Sequence, residues 1–125
     1  MWGMRLTGHV ASGKGDLAFW MERNRAAYER VAGQPLIPGS LNVVRVEPWV
    51  VHAPPLRLEP SEVGVGMSIV PCEIEGIPAF VLRTDKNNSG GGDHPTTVVE
   101  IAASVHLRES LGLHDGDRVE VVLPD

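Results

Sequence analysis

Six of the ten prolines fall between Pro35 and Pro60. Proline has no backbone N–H, and its ring clashes with the preceding turn of a helix, so no long helix crosses this stretch. Fourteen glycines are spread along the 125 residues, thirteen of them outside that stretch. A chain punctuated this way folds into short strands and tight turns rather than a helical bundle. Helix is left to the proline-free stretches. Residues 22–32 (ERNRAAYERVA) carry good helix formers in Ala26, Ala27 and Arg30, and Gly33 is placed to end them. Their apolar content is thin, so one side of this helix faces water.

The remaining segments alternate or break. Residues 3–11 (GMRLTGHVA) alternate and predict a strand. Residues 12–18 (SGKGDLA) predict a glycine-containing loop. Leu41, Val43 and Val44 lead into a strand after PLIPGS. Residues 47–66 are irregular, with one short strand near Leu56–Leu58. Residues 67–74 and 77–83 flank Glu75-Gly76 and predict a hairpin. Residues 84–97 are polar and glycine-rich, too polar to pack and expected to be mobile. Residues 98–103 predict a strand, 105–111 a short helix ended by Gly112, 114–117 a turn and 118–123 a last strand. The expectation is a mainly β fold: a small β-barrel of six or seven strands with two short helices, forming one domain over residues 1–125. Closing the sheet removes the exposed edges that a small open sheet would leave.

Charge and cysteine content narrow the function. Eleven Lys and Arg against 16 Asp and Glu give a net charge of −5. That argues against a nucleic-acid or membrane-surface binder, which needs a basic face. A small anionic ligand held by backbone N–H groups and a metal ion stays compatible with it. Cys72 is the one cysteine, which excludes an intrachain disulfide and a cysteine-based zinc site. No signal peptide and no apolar run of about 18 residues is seen, so a cytoplasmic location is expected.

Several segments carry possible chemistry. In SGKGDLAF, Gly13 and Gly15 follow a strand, where glycines let backbone N–H groups approach a phosphate. An ordinary turn is the alternative there, and no Walker or Rossmann pattern completes it. In PGSLN, Ser40 and Asn42 point the same way once the strand has begun. A hydroxyl and an amide oxygen on one face suit Mg²⁺, which takes one or two protein ligands and fills its shell with water and phosphate. Capping of a turn is the alternative. Glu100 lies in an otherwise apolar strand, so it faces either water or a polar cavity. The five histidines lack zinc-site spacing. Cys72 suits a small core residue better than a nucleophile.

The order of these pieces is more specific than any one of them. SGKGDLAF, a helix with Tyr28, PLIPGSLNV, a hairpin ending in LRT, VVEIAASVHLRESLGL and DGDRVEVVL together resemble the CTP-dependent riboflavin kinases. These are small cradle-loop β-barrels, and the resemblance runs from about residue 5 to 123. It implies transfer of phosphate from CTP to riboflavin, giving FMN and CDP with Mg²⁺. It implies a nucleotide held by Gly13, Lys14, Gly15, Asp16, Leu17 and Ala18 and by Val105, His106, Leu107 and Arg108. It implies metal ligands at Ser40 and Asn42 and flavin contacts at Thr84 and Glu100. Phosphoryl transfer needs positioning and charge neutralisation more than covalent chemistry, so Glu100 is the candidate to orient or deprotonate the accepting hydroxyl. Arg108 or Lys14 can neutralise charge on the transferring group.

Three departures from the family pattern stand out. Serine replaces threonine at position 40 and keeps the oxygen. Leu17 stands where the family has glycine or a small residue, which narrows the phosphate cradle. Residues 85–94 (DKNNSGGGDH) replace a short Thr-x-His-Tyr-like stretch where the flavin ring packs, and Pro95 replaces an aromatic. His94 is either the displaced family histidine or a loop residue. Two other functions fit the same residues: a kinase of another small molecule, and a non-catalytic barrel that binds a nucleotide or flavin.

Overall fold

The computed structural model describes residues 2–13 and 16–124. In chain order the elements are β1 (Trp2–Ala11), α1 (Asp16–Arg23), α2 (Arg25–Ala32), β2 (Leu41–Val44), β3 (Leu56–Leu58) and α3 (Pro60–Val63). Then come β4 (Met67–Ile74), β5 (Ile77–Thr84), α4 (Asp85–Asn88), β6 (Val98–Ala102), α5 (Leu107–Leu111) and β7 (Arg118–Pro124). Neighbouring strands run in the order β4–β5–β6–β2–β1–β7, all antiparallel, and β7 returns to β4 through Glu73↔Val122 and Ile74↔Val121. That closes a six-stranded barrel. β3 is an outer strand on the other end of β4, with Leu58 opposite Met67.

Two local features make the closure possible. The β4–β5 turn places Glu75 and Gly76 at φ 46° and 84°, the paired positive values of the tight turns that match strand twist. β1 pairs first with β7 and then with β2. At the crossover, a Cβ on Gly8 would lie 2.6 Å from both Val43 Cγ1 and Val44 O. Only glycine allows the strands to approach this closely.

Side chains alternate along each strand, and the two faces build two apolar clusters. Leu41, Val43, Val81, Val99, Ile101 and Val121 point inward with Cys72 and fill the barrel. Ile69, Phe80, Leu82 and Ala102 point outward and are covered by Met21 of α1, Tyr28 of α2, Leu58 and Val63. The second cluster is therefore a layer between the barrel wall and the helices.

This outer layer explains where the helical expectations needed correction. Residues 16–18 are the first turn of α1, not loop. Leu17 and Met21, four residues apart, pack on the outer cluster, and that burial holds a helix where the glycines before it suggested only loop. The helix expected over 22–32 is two helices broken at Asn24, whose side chain donates to Trp20 O at 3.1 Å. Gly33 ends α2 at φ 75° as expected. The last short helix starts at Leu107, two residues late. Single turns α3 and α4 bring the described helical segments to five. Residues 84–97 do pack: α4 forms there, and Asn87 is buried. Asn88 holds this segment by bonding both the N–H and the C=O of Val51, each at 2.8 Å.

Candidate active site

The outward face of the barrel is apolar from Ile69 to Ala102 and turns polar at its neighbours. Glu100 and Asn42 stand opposite each other across β6 and β2, on the face away from Leu41, Val43 and Ile101. Ser40 precedes them on the same side. Its hydroxyl lies 3.2 Å from Glu100 Oε2 and 3.4 Å from Asn42 Oδ1, so its one proton serves either oxygen. Asn42 is buried. A Cβ on Gly13 would meet Asn42 Nδ2 at 2.5 Å, so the missing side chain lets the loop backbone lie against this amide.

These groups line a cavity of about 760 Å³, within the usual range for small-molecule sites. Tyr28, Trp20 and Val65 give it apolar and aromatic walls, and Thr84, Asn87 and His94 line the wall after β5. Burial, and secondarily the charge of Glu100, pushes the Tyr28 phenol up to about 12. It stays neutral at any working pH. Thr84 caps α4, its Oγ1 accepting from Asn87 N–H at 3.1 Å.

A smaller cleft of about 350 Å³ runs along the start of α5, lined by Val105, His106, Leu107 and Arg108. It shares Gly39 and Ser40 with the larger cavity. The two hollows therefore adjoin at Gly39 and Ser40. Arg108 Nη2 donates to Asp115 Oδ1 at 2.6 Å, and Ser12 Oγ donates to Asp115 Oδ2 at 2.6 Å. Those two bonds hold the Asp115 carboxyl below its ordinary range. Asp115 thus ties the residue before the glycine loop to the α5 segment.

Residues 10–123 match the family model for CTP-dependent riboflavin kinases, whose description reads "Domain of unknown function DUF120". The chain belongs to the CTP-dependent riboflavin kinase family. It is similar to a riboflavin kinase from Pyrobaculum islandicum, 35% identical over 94% of this chain and 59% of that protein. It is 32% identical to a riboflavin kinase from Methanocella arvoryzae, over 94% of this chain and 56% of the relative. The chain thus spans under two thirds of the length of those relatives. A riboflavin kinase from Staphylothermus marinus is 26% identical over 98% of this chain and 93% of its own length.

As a member of the CTP-dependent riboflavin kinase family, the chain brings most of the residues named from its sequence to these two hollows. Gly13, Leu17, Ala18, Ser40, Asn42, Thr84 and Glu100 line the larger one, and Val105–Arg108 line the smaller. Lys14 and Gly15 lie outside the described residues, and Asp16 opens α1. Sequence reasoning missed Tyr28 and Asn87 as lining residues, and the Asp115 tie. Tyr28 lies on a helix read as having one side in water, and Asn87 on a segment read as too polar to pack and mobile. Their polar letters carry no periodicity that would mark burial. Among the described residues, no three His, Cys, Asp or Glu side chains gather as a metal cluster, and no helix is long and apolar enough to cross a membrane.

Proposed function

We propose that this chain is a CTP-dependent riboflavin kinase. The observation that carries the reading is the junction of two hollows at Ser40, beside Asn42 and Glu100. A bisubstrate transfer needs two adjoining sites that meet where the group moves. Riboflavin occupies the larger cavity, with its ribityl chain toward Glu100. The nucleoside of CTP lies along Val105–Arg108, and its phosphates reach past Ser40 to the glycine loop at Gly13–Ala18.

The donor set fits Mg²⁺. A hydroxyl and an amide oxygen beside one carboxylate are hard oxygen ligands, and this ion takes few protein ligands when phosphates complete its shell. Ser40 Oγ and Asn42 Oδ1 would hold it, and when bound it supplies charge neutralisation at the phosphates. The protein's own part is positioning. Glu100 accepts the proton of the terminal ribityl hydroxyl as that oxygen attacks the γ-phosphorus. The bond from the γ-phosphorus to the β–γ bridging oxygen breaks, and CDP leaves with that oxygen. Backbone N–H groups of the glycine loop donate to the phosphate oxygens.

Incubating the protein with riboflavin, Mg²⁺ and CTP, ATP, GTP or UTP separately, then resolving FMN from riboflavin by chromatography, tests this. FMN formed chiefly with CTP is expected. A folded sample that makes no FMN with any nucleotide would overturn the kinase reading.

A further inference from the structure

The segment that departs most from the family pattern carries a buried donor that the protein does not use. Asn87 is the third residue of α4 and is 8% exposed. Its Oδ1 accepts from His94 N–H at 3.3 Å. A backbone N–H only donates, so this bond decides which end of the amide is oxygen. Gly92 leaves the room for it, since a Cβ there would lie 1.8 Å from Asn87 Oδ1. Nδ2 is then the opposite end, and no acceptor among the described residues meets it. Nor is it sealed in protein. Asn87 lines the larger cavity, and Arg45 Nε is the one fully enclosed side-chain polar atom without a partner among the described residues.

A donor the fold leaves facing the cavity can exchange water for an acceptor on a bound molecule, and an analogue that lacks the acceptor leaves it unpaired once water is displaced. We propose that Asn87 is a specificity-determining residue whose Nδ2–H donates to a pyrimidine-ring carbonyl oxygen of the flavin. The assignment rests on riboflavin being the substrate. The ring, rather than the ribityl chain, is the partner because of position. Glu100 pairs with Leu82 inside the sheet, whereas Asn87 stands a helical turn beyond the end of β5. The two residues line the cavity from different elements, β6 and α4. A site built to hydrogen-bond a substrate group discriminates strongly against analogues that lack it.

Asn87→Asp is the direct test. It keeps the oxygen that His94 N–H needs and replaces the donor with an acceptor. Riboflavin affinity, read from flavin fluorescence, should weaken at least about tenfold near neutral pH, while the KM for CTP changes by less than about twofold. The deficit relative to the unchanged protein should shrink as pH falls, because the introduced carboxyl regains a proton it can donate. A folded variant with unchanged affinity, or with a deficit constant over pH, would overturn the assignment. A ligand-side arm covers a variant that fails to fold. The unchanged protein should bind flavins with sulfur in place of the C2 or C4 oxygen unequally, one of them several-fold more weakly than riboflavin. Equal binding of both would overturn the assignment. Failure of the unchanged protein to bind riboflavin at all would instead overturn the substrate reading, and this one with it.

Discussion

Glu100 owes its place to alternation. Val99 and Ile101 turn into the barrel, so the carboxylate between them must turn out, toward Asn42 and the Ser40 hydroxyl. That logic was readable from VVEIAA, and so was the shared face of Ser40 and Asn42. Which way the outward face looks was not readable, because water and cavity demand the same polar letters. Glu100→Gln keeps the size and an oxygen for Ser40 but cannot take a proton. Turnover is expected to fall about 10²- to 10⁴-fold, with the KM for CTP nearly unchanged. FMN formation under saturating substrates measures it, and near-normal turnover would remove the proton-accepting role. Cys72 is the opposite kind of residue. Burial, with a smaller push from Glu73, raises its thiol to about 12, so it is inert packing inside the barrel, as its sequence context suggested.

The elements read from strand alternation and turn chemistry were the secure ones: β3, the β4–β5 hairpin and β7 fall where the letters placed them. The helices were harder, because α1 and α2 owe their burial to the outer cluster, a tertiary surface that no local pattern announces. The segment after β5 was hardest. Its order comes from single polar anchors. Arg83, 2% exposed, donates to Trp49 O at 2.7 Å and Val98 O at 3.1 Å, and stacks over Trp49. Arg57 grips Asp85 through two parallel bonds of 3.0 and 2.9 Å, pinning α4 to β3. Arg57 holds the Asp85 carboxyl below its ordinary value of 3.8. A carboxyl whose folded pKa is depressed contributes stability that is present above its unfolded pKa and lost as pH falls through the folded value. The melting temperature should therefore drop as pH falls below about 4. Asp85→Asn should melt lower at neutral pH and show a shallower acid drop. Thermal scans across pH check this, and an equally steep drop in the variant would remove this pair from the acid response.

The molecule as a whole depends on one short seam. Two residue pairs, Glu73↔Val122 and Ile74↔Val121, join β4 to β7 and turn a sheet into a barrel. Ile74 is fully buried there and also faces Ile77 across the hairpin. Ile74→Ala should cost about 2–5 kcal/mol in urea unfolding, and a loss under about 1 kcal/mol would show that the seam yields and refills. Closure of this kind was expected from many short strands. The layer of helices outside it was not, and that layer is what makes room for ligands. The cavity lies against the outer wall of the barrel rather than within it. Along β2 and β6, Asn42 and Glu100 line the larger cavity while their neighbours Val43 and Val99 fill the barrel, so the two roles alternate residue by residue. A change at Asn42 or Glu100 therefore reshapes the larger cavity while leaving every side chain inside the barrel in place.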